Sequence, residues 1–359
     1  MTTPPPTLPT NVLCAAELLE GTDLGNGWTV TTKVPQNLNS TGGNFSVPYF
    51  VEKKEGKSTK RAFLKALNFR RLAAAPNFAR AVQQHTAAFN FERDTLNLCK
   101  EKGLRRVALI LEAGELRLPA NPLPVCYIIF ELADGDARKQ LAKLAAFDLA
   151  WTLRTLHHIS VGLEQLHTHG IAHQDLKPSN VLFFEAFGAK IGDLGCADTE
   201  QQPSSSPCGH LSIAGDLSYA PPELFYNEFS HDWKVRRYGC DLYLLGSLVV
   251  FFFTGGASMT ALLQTRVHPS HSPLKWTQDY RSVLPYIRDA FENALEEIQT
   301  SVPAEVRAEV LNVIRYLCEP DPKLRGHPSD IGGNQFSLER VISTFNLLAT
   351  KAEYGLVKA

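Results

Sequence analysis

The sequence lacks an excess of charge of either sign. Its 36 basic and 37 acidic residues give a formal net charge of −1 over 359 residues. Proteins that bind polyanions through their surface usually carry a strong excess of basic residues. The composition therefore gives no indication of a nucleic-acid partner or of binding to an anionic membrane surface.

Paired cysteines and long apolar runs are also lacking. The seven cysteines are dispersed without any Cys-x-x-Cys pair, which is typical of reduced thiols, so we expect a cytoplasmic protein. The N-terminus has neither a basic start nor an apolar stretch, so no secretory signal is predicted. The longest apolar run, over 242–253, is interrupted by Gly246 and Ser247, whereas a membrane-spanning helix needs roughly 20 apolar residues. We predict a buried core helix there and no membrane span.

Secondary-structure signals change in character near residue 135. Residues 1–12 are rich in proline and threonine and are predicted to form a disordered leader. From there to residue 132 the chain is rich in β-prone stretches and turns, with one helix predicted over 77–102. After Gly135 the signals are mostly helical. The predicted strands of the first part cover residues 29–34, 47–53, 61–67, 106–112 and 125–132.

The most informative segment reads His173-Gln-Asp-Leu-Lys-Pro-Ser-Asn180, and Asp193-Leu-Gly195 follows thirteen residues after its last residue. Transfer of a phosphoryl group from ATP needs a carboxylate that orients the attacking hydroxyl and accepts its proton. It also needs oxygen ligands that hold Mg²⁺ against the phosphates. The two loops together contain residues of both kinds.

Each residue of these two loops suits one of the tasks. Asp175 suits the orientation and deprotonation of the hydroxyl. Asn180 and Asp193 are candidate Mg²⁺ ligands. Lys177 can neutralise charge on the γ-phosphate during transfer.

This pattern resembles the eukaryotic-type protein kinase superfamily, whose His-x-Asp-x-Lys-x-x-Asn motif is followed by Asp-x-Gly. The resemblance covers about residues 28–348. It implies an α+β, bilobal protein-kinase fold over 13–350, with a small β-rich N-lobe over about 13–132 and a large, mainly α-helical C-lobe over about 136–350. It also implies transfer of the γ-phosphate of ATP, with Mg²⁺, to serine or threonine hydroxyls of protein substrates.

Three further pairs of motifs support the resemblance. Ala62-Phe-Leu-Lys65 is similar to the family strand whose lysine contacts the α- and β-phosphates, and Glu92 is the only glutamate between residues 66 and 100 that can pair with it. Pro221-Pro-Glu223 resembles the family's Ala-Pro-Glu segment, which implies a buried salt bridge between Glu223 and Arg325. Asp241 begins an apolar helix, and the resemblance implies that it accepts hydrogen bonds from the backbone of the catalytic loop.

The nucleotide-binding residues are assigned on the same resemblance. The stretch 128–136 resembles the segment that holds adenine through its backbone, so Glu131 is assigned to the nucleotide site, and Phe130 to the position beside the adenine pocket. Asp136 is assigned to the ribose, although an exposed loop acid without such a role fits equally well. In the phosphate-covering loop, Thr41-Gly-Gly-Asn-Phe-Ser46, only Gly43 and Phe45 match the family.

Three departures from the family bear on function. Phe63 stands where alanine is usual, and a phenyl group above adenine narrows the pocket. Gln174 replaces an arginine that commonly binds a phosphate on the activation segment, so we expect activity to depend little on phosphorylation of Ser204, Ser205 and Ser206. Asp216 stands at a position usually held by threonine, where it either pairs with Lys177 or raises the pKa of Asp175 by repulsion.

Two alternative functions remain open at this point. A pseudokinase acting as a nucleotide-binding scaffold is suggested by the poor glycine loop and by Phe63. A small-molecule kinase is disfavoured because such enzymes generally lack the Pro-Pro-Glu segment. We expect regulatory protein partners or surface docking to direct the enzyme to its substrates. Exposed acidic residues lie near the predicted substrate channel, among them Asp134 and Glu185. They either favour basic peptide substrates or are merely solvated surface charges without a role in substrate choice.

Overall fold

The structure is a computed structural model that describes residues 15–35, 46–70, 72, 75–119, 123–201 and 213–357. The predicted leader over 1–12, the loop residues Gly43 and Phe45, and the three serines at 204–206 lie outside the described residues. The chain divides into two compact units, which are described separately. One contains Met1–Gly103 and Ala108–Ala133, and the other contains Leu104–Val107 and Asp134–Ala359. The predicted lobe boundaries stay a prediction.

The first unit is built on an antiparallel sheet of five strands, with one long helix, α1, at Phe78–Glu101. The strand order in the sheet is β1-β2-β3-β5-β4. The strands are β1 Trp28–Lys33, β2 Ser46–Glu55, β3 Ser58–Leu67, β4 Ile110–Leu116 and β5 Val125–Glu131.

One face of this sheet forms the main core of the first unit. Along β3, Ala62, Leu64 and Ala66 are completely buried, whereas the residues between them are half-buried. Because side chains alternate between the two faces of a strand, Lys65 lies on the opposite face. A short turn of 3₁₀ helix at Ala15–Glu17 covers the core face, where the Tyr49 hydroxyl donates to the carbonyl of Ala16 at 2.8 Å.

Local chemistry sets the ends of α1. The side chain of Asn77 accepts a hydrogen bond from the amide of Arg80 at 3.0 Å, which satisfies one free donor of the first turn. Gly103, with φ of +68°, follows the helix in a conformation that residues with a Cβ rarely adopt. The helix predicted over 77–102 therefore has the expected extent.

The fourth strand is displaced from its predicted position. The prediction placed it over 106–112, but β4 begins at Ile110 and extends to Leu116. Val107 instead forms an isolated parallel bridge with Ile191, and both residues belong to the second unit. Strand β4 continues through less apolar residues because each pairs with a residue of β5, as Leu116 does with Val125.

The second unit is mainly helical. Its short strands form a three-stranded sheet in the order β6-β8-β9 and a two-stranded pair of β7 with β10. The strands are β6 Gly135–Asp136, β7 Ile171–Ala172, β8 Val181–Phe184, β9 Gly188–Ile191 and β10 Asp198–Thr199. The helices are α2 Ala137–Lys143, α3 Leu149–Thr168, α4 Pro222–Phe225, α5 Trp233–Thr254, α6 Met259–Arg266, α7 Tyr280–Ser301, α8 Arg307–Cys318 and α9 Glu339–Glu353.

Helix α5 lies at the centre of the second unit. Every residue from Arg237 to Phe253 is buried, and the helix packs in one core with α3 and α8. By length and composition α5 could cross a membrane, but 94% of its most apolar window is buried inside the protein. A core helix has this burial pattern, as predicted for the apolar run.

The short strands determine where the predicted catalytic loop begins and ends. The loop leaves β7, passes through residues 173–177, and enters β8 through a 3₁₀ turn at Pro178–Asn180. Strand β9 then leads to Asp193 at the end of the hairpin. A β-rich first part and a helical second part confirm the predicted fold class.

Candidate active site

In the first unit, Lys65 and Glu92 form the predicted ion pair. The Lys65 Nζ lies 2.9 Å from the Glu92 Oε1, and the exposed fractions of the two side chains are 23% and 12%. Lys65 is on β3 and Glu92 is near the middle of α1, so the pair joins the sheet to the helix. The pair is confirmed, and contact of Lys65 with phosphates stays a prediction.

Aromatic side chains surround Lys65 on its face of the sheet. Phe63 pairs across the sheet with Phe50 on one side and Phe130 on the other, so all three rings share the face of Lys65. The Lys65 Nζ lies 5.8 Å from the centroid of the Phe130 ring. Phe63 is half-buried, which makes this face more crowded than one carrying the usual alanine.

Glu131, at the end of β5, is used for hydrogen bonding within the sheet. Its Oε1 accepts from the amide of Leu109 at 2.7 Å, and its own amide donates to the carbonyl of Leu109 at 3.0 Å. These contacts fix the backbone of the stretch that was assigned to adenine. The assignment of Glu131 to the nucleotide site stays a prediction.

In the second unit, Asp136 is the N-cap of helix α2. Its Oδ1 accepts a hydrogen bond from the amide of Lys139 at 3.0 Å. The sequence left an exposed loop acid as the alternative to a ribose contact, but Asp136 is half-buried and its N-cap role occupies one carboxylate oxygen. The assignment to the ribose stays a prediction.

Asp175 is held by three hydrogen-bond donors. Its Oδ2 lies 3.0 Å from the Lys177 Nζ and accepts from the Asn180 Nδ2 at 3.1 Å, while its Oδ1 accepts from the Asp216 amide at 2.9 Å. Asp175 is only 8% exposed. Donors on both oxygens of a buried carboxylate fix the plane of the group, as a positioned base requires.

Burial is the main influence on the acidity of Asp175. It disfavours the charged form and raises the pKa of the carboxyl group above its ordinary value. The positive charge of Lys177 opposes this effect, and the negative charge of Asp193 adds to it. The result is a stronger base than an ordinary aspartate, with its pKa displaced toward neutral pH.

The structure decides between the two roles left open for Asp216. Its Oδ2 lies 3.7 Å from the Lys177 Nζ, so the two residues are paired. Burial opposes ionisation of Asp216, but two hydrogen bonds from Ser218 and the charge of Lys177 outweigh it and lower its pKa. Lys177 therefore lies between two carboxylates, and the raised pKa of Asp175 comes from burial and from Asp193.

Asn180 and Asp193 provide a donor set that fits Mg²⁺. Asn180 donates through its Nδ2 to the carbonyl of Asp175 at 2.8 Å, so its Oδ1 is the side-chain atom that could coordinate a cation. Its backbone carbonyl accepts from the Gly192 amide at 2.8 Å, next to Asp193. An amide oxygen and a carboxylate are the hard oxygen ligands that Mg²⁺ prefers. Asp193 has a left-handed backbone, with φ of 61°, which is uncommon for a residue with a side chain and occurs often at functional sites.

Asp241 fixes the start of the catalytic loop, as predicted. It is completely buried and accepts from the backbone amides of His173 at 2.7 Å and Gln174 at 2.8 Å. The Nε2 of His167 lies 2.9 Å from the same carboxylate. His173 adds a second link, because its Nδ1 accepts from the Asp175 amide and its Nε2 donates to the Gly192 carbonyl.

Arg237 and Asp198 belong to this site and were missed from the sequence. The Gln174 side chain donates to the Arg237 carbonyl at 2.8 Å, and the Arg237 Nη1 donates to the Gln174 Oε1 at 3.2 Å. The Arg237 Nε lies 2.7 Å from the Asp198 Oδ2, and both side chains are nearly inaccessible. Arg237 lies one helical turn before Asp241 on the same face of α5, a spacing that could have indicated its location.

The salt bridge between Glu223 and Arg325 is also confirmed. The two terminal nitrogens of Arg325 donate to the two carboxylate oxygens of Glu223 at 2.8 and 2.9 Å. The pair is buried and connects α4 to the loop after α8. This bidentate geometry fixes the end of the segment that contains Asp216.

Comparison with known proteins agrees with these features. A sequence profile described as the protein kinase domain matches residues 120–336, which is more than half of the chain. LysM domain receptor-like kinase 10 of Oryza sativa subsp. japonica is 33% identical over 125 residues, 33% of this chain and 21% of the relative. An Aurora kinase of Debaryomyces hansenii is 26% identical over 200 residues, 55% of this chain and 41% of the relative.

A third relative is the serine/threonine-protein kinase PKH3 of Saccharomyces cerevisiae. It is 30% identical over 182 residues, 46% of this chain and 19% of the relative. The matched segments thus span less than half the length of each of these three relatives. Since the profile match covers most of the second unit, including Asp175, Asn180 and Asp193, this chain belongs to the protein kinase family.

Proposed function

We propose that this chain transfers the γ-phosphate of ATP to serine or threonine hydroxyls of protein substrates. The observation that carries the proposal is the buried carboxylate of Asp175, held by Lys177, Asn180 and the Asp216 amide. A carboxylate held in this way can orient a hydroxyl group and accept its proton as the phosphoryl group is transferred.

The other residues have roles that follow from their charges. Lys177 lies beside the base and can neutralise negative charge that develops on the transferred group. Lys65, oriented by Glu92, binds the phosphates of the nucleotide. Asn180 and Asp193 would hold Mg²⁺, which when bound supplies positive charge to the phosphate oxygens.

The choice of serine and threonine over tyrosine rests on the catalytic loop. Lys177 is followed by Pro-Ser-Asn, whereas tyrosine kinases usually have alanine or arginine in that loop. The match to a protein named as a serine/threonine kinase supports the same choice. We further propose that the protein acts in the cytoplasm, on protein substrates brought to it by regulatory partners.

One observation favours a second candidate function. Phe63 crowds the face of the sheet that carries Lys65, and this would weaken nucleotide binding. A pseudokinase that binds nucleotide weakly and acts as a scaffold is therefore the alternative. The presence of the Lys65–Glu92 pair and of Asp175, Lys177, Asn180 and Asp193 together supports the enzyme.

The two functions differ in turnover. Wild-type protein is incubated with Mg²⁺ and γ-labelled ATP and a generic protein substrate, next to Asp175→Asn and Lys65→Met. Transfer of label by the wild type alone supports the proposal, since each variant removes one part of the site. Equal background labelling by all three proteins, with ATP still bound by the wild type, supports the pseudokinase.

A further inference from the structure

A buried network of three residues lies behind the predicted base in the second unit. Arg237 on α5 is at its centre, between Gln174 of the catalytic loop and Asp198 of β10. The exposed fractions of the Arg237 and Asp198 side chains are 6% and 2%, and Gln174 is also buried. The network is nearly closed to solvent, so any part that it takes in the reaction is exerted through its neighbours.

Gln174 connects Arg237 to the predicted base. Its Nε2 donates to the Arg237 carbonyl at 2.8 Å and to the Asp241 Oδ1 at 3.0 Å, and its Oε1 accepts from the Arg237 Nη1 at 3.2 Å. Gln174 has a left-handed backbone, with φ of 64°, which is uncommon for a residue with a side chain. Because Asp175 follows directly in the chain, the contacts that hold Gln174 in this conformation also fix where the base begins.

Asp198 connects Arg237 to the segment 193–199, which starts at the predicted Mg²⁺ ligand Asp193. The Asp198 Oδ2 lies 2.7 Å from the Arg237 Nε, and its Oδ1 accepts from the Thr199 amide at 2.8 Å. In the pairing of β10 with β7, Asp198 lies opposite Ala172. Only residues 194–197 separate Asp193 from Asp198, so a fixed Asp198 limits the positions that Asp193 can take.

The network is balanced in charge, although its charges are costly to bury. Burial raises the pKa of Asp198, and the positive charge of Arg237 opposes this effect. A buried ion pair usually stabilises a fold no more than apolar residues of the same size would. Stability alone therefore gives little reason for this pair. Unlike apolar side chains, the two charges favour one particular arrangement of α5 and β10.

We propose that Arg237 is a positioning residue for phosphotransfer, which holds the catalytic loop and the segment 193–199 in one fixed arrangement. Its Nη1 holds Gln174, the residue before the base, and its Nε holds Asp198, in the segment that starts at the metal ligand. The anion that binds Arg237 is a carboxylate of the chain itself, so this contact requires no phosphate group.

The proposal rests on the proposed phosphotransfer and is tested first on turnover. Asp198→Asn removes the charge and keeps the shape of the side chain, so kcat should fall about tenfold, the range of one charge-assisted hydrogen bond. KM for ATP should stay within about twofold, because Lys65 of the first unit is unchanged. Glu200→Gln, at the exposed pair with Lys234, is the matched control and should keep kcat within about twofold. A wild-type kcat in Asp198→Asn would overturn the proposal.

A variant without the charges distinguishes positioning from stability. Asp198→Leu combined with Arg237→Met replaces the pair with apolar side chains, so its melting temperature should stay close to that of the wild type. Its kcat should nevertheless fall as in Asp198→Asn. A folded double variant with wild-type kcat would assign the pair to stability alone and overturn the proposal.

Arg237→Lys keeps the test decisive if the double variant unfolds. It preserves a positive charge opposite Asp198, but a single ammonium group on a shorter side chain does not also reach Gln174. Its kcat should therefore fall about threefold, the effect of one lost hydrogen bond. A wild-type kcat in this variant would also overturn the proposal.

Hydrogen exchange tests the same coupling without turnover. In Asp198→Asn the backbone amides of residues 173–175 should exchange faster, together with those of 198–200, because Arg237 holds both segments. Helix α9 should exchange as in the wild type and is the internal control. Faster exchange confined to 198–200 would overturn the coupling. A wild-type protein that phosphorylates no substrate would overturn the proposed function, whereas the exchange result would still decide whether Arg237 couples the two segments.

Discussion

Arg325 donates its two terminal nitrogens to the two carboxylate oxygens of Glu223 across 102 residues of sequence. It also donates to the backbone carbonyls of Gly239 and Glu319, so each of its three guanidinium nitrogens is engaged. Arg325 is completely buried, and its Cζ lies 5.2 Å from the centroid of the Tyr243 ring. The pair thus connects α4, α5 and the loop after α8, which together support the catalytic loop.

Removal of one partner of this pair should lower the urea concentration at which the second unit unfolds. Arg325→Met leaves the Glu223 carboxylate buried without its counter-charge, so we expect a loss of about 3–5 kcal/mol in the free energy of unfolding. Urea denaturation followed by tryptophan fluorescence measures it. The double variant Arg325→Met with Glu223→Gln should recover part of the loss. Arg340→Met, at an exposed pair with Asp330, should cost less than about 1 kcal/mol. Equal losses for Arg325→Met and Arg340→Met would contradict the assigned role.

The pH dependence of turnover should show the raised pKa of Asp175. Only the ionised carboxylate accepts a proton, so kcat/KM should fall as the pH decreases through a pKa above the ordinary aspartate value. Lys177 favours the ionised form, and Lys177→Met should therefore move this acid limb to higher pH as well as lower the rate. Lys234→Met, at an exposed pair with Glu200, should leave the limb in place. An acid limb that moves to lower pH in Lys177→Met would rule out Asp175 as the titrating base.

Phe63 should limit nucleotide binding. Its ring lies on the face of the sheet that carries Lys65, and relief of a crowded site is worth about 1 kcal/mol or more. Phe63→Ala should therefore lower KM for ATP about fivefold. Steady-state kinetics with varied ATP measures this, and Phe187→Ala, at an exposed phenylalanine of the second unit, is the control. A higher KM for Phe63→Ala would mean that the ring contributes to nucleotide binding.

Turnover should not depend on phosphate groups at the serines of the activation segment. Gln174 carries no charge and is already engaged by Arg237 and Asp241. The variant with alanine at Ser204, Ser205 and Ser206 should therefore keep its turnover within about twofold of wild type. A collapse of its rate would reject this prediction.

The sequence predicted those contacts whose two partners lie in separate, recognisable motifs. Three contacts are of this kind: that of Lys65 with Glu92, that of Glu223 with Arg325, and that of Asp241 with the catalytic-loop backbone. Each pair holds charges in a buried or half-buried position, where only a few residue types can satisfy one another. The resemblance to the protein kinase superfamily therefore located the partners of each contact, and the residue types fitted them.

Two features were missed from the sequence because they depend on packing between segments far apart in sequence. Strand β4 begins at Ile110 because Val107 bridges to Ile191, although the apolar run around Val107 has the pattern of a strand. Arg237, near the start of the apolar helix α5, has the sequence pattern of a solvated charge. Its burial results from Asp198 and Gln174, which reach it only once β7 and β10 have paired.

The central claim is that Asp175 serves as the base for transfer of phosphate to serine or threonine. In the most direct measurement, wild-type protein and Asp175→Asn are each incubated with Mg²⁺, ATP and a mixture of peptides. Each peptide contains serine, threonine or tyrosine as its single acceptor. Mass spectrometry then identifies the phosphorylated residues. We predict phosphoserine and phosphothreonine with the wild type and none above background with Asp175→Asn. Phosphate on tyrosine alone, or equal products from both proteins, would contradict the account.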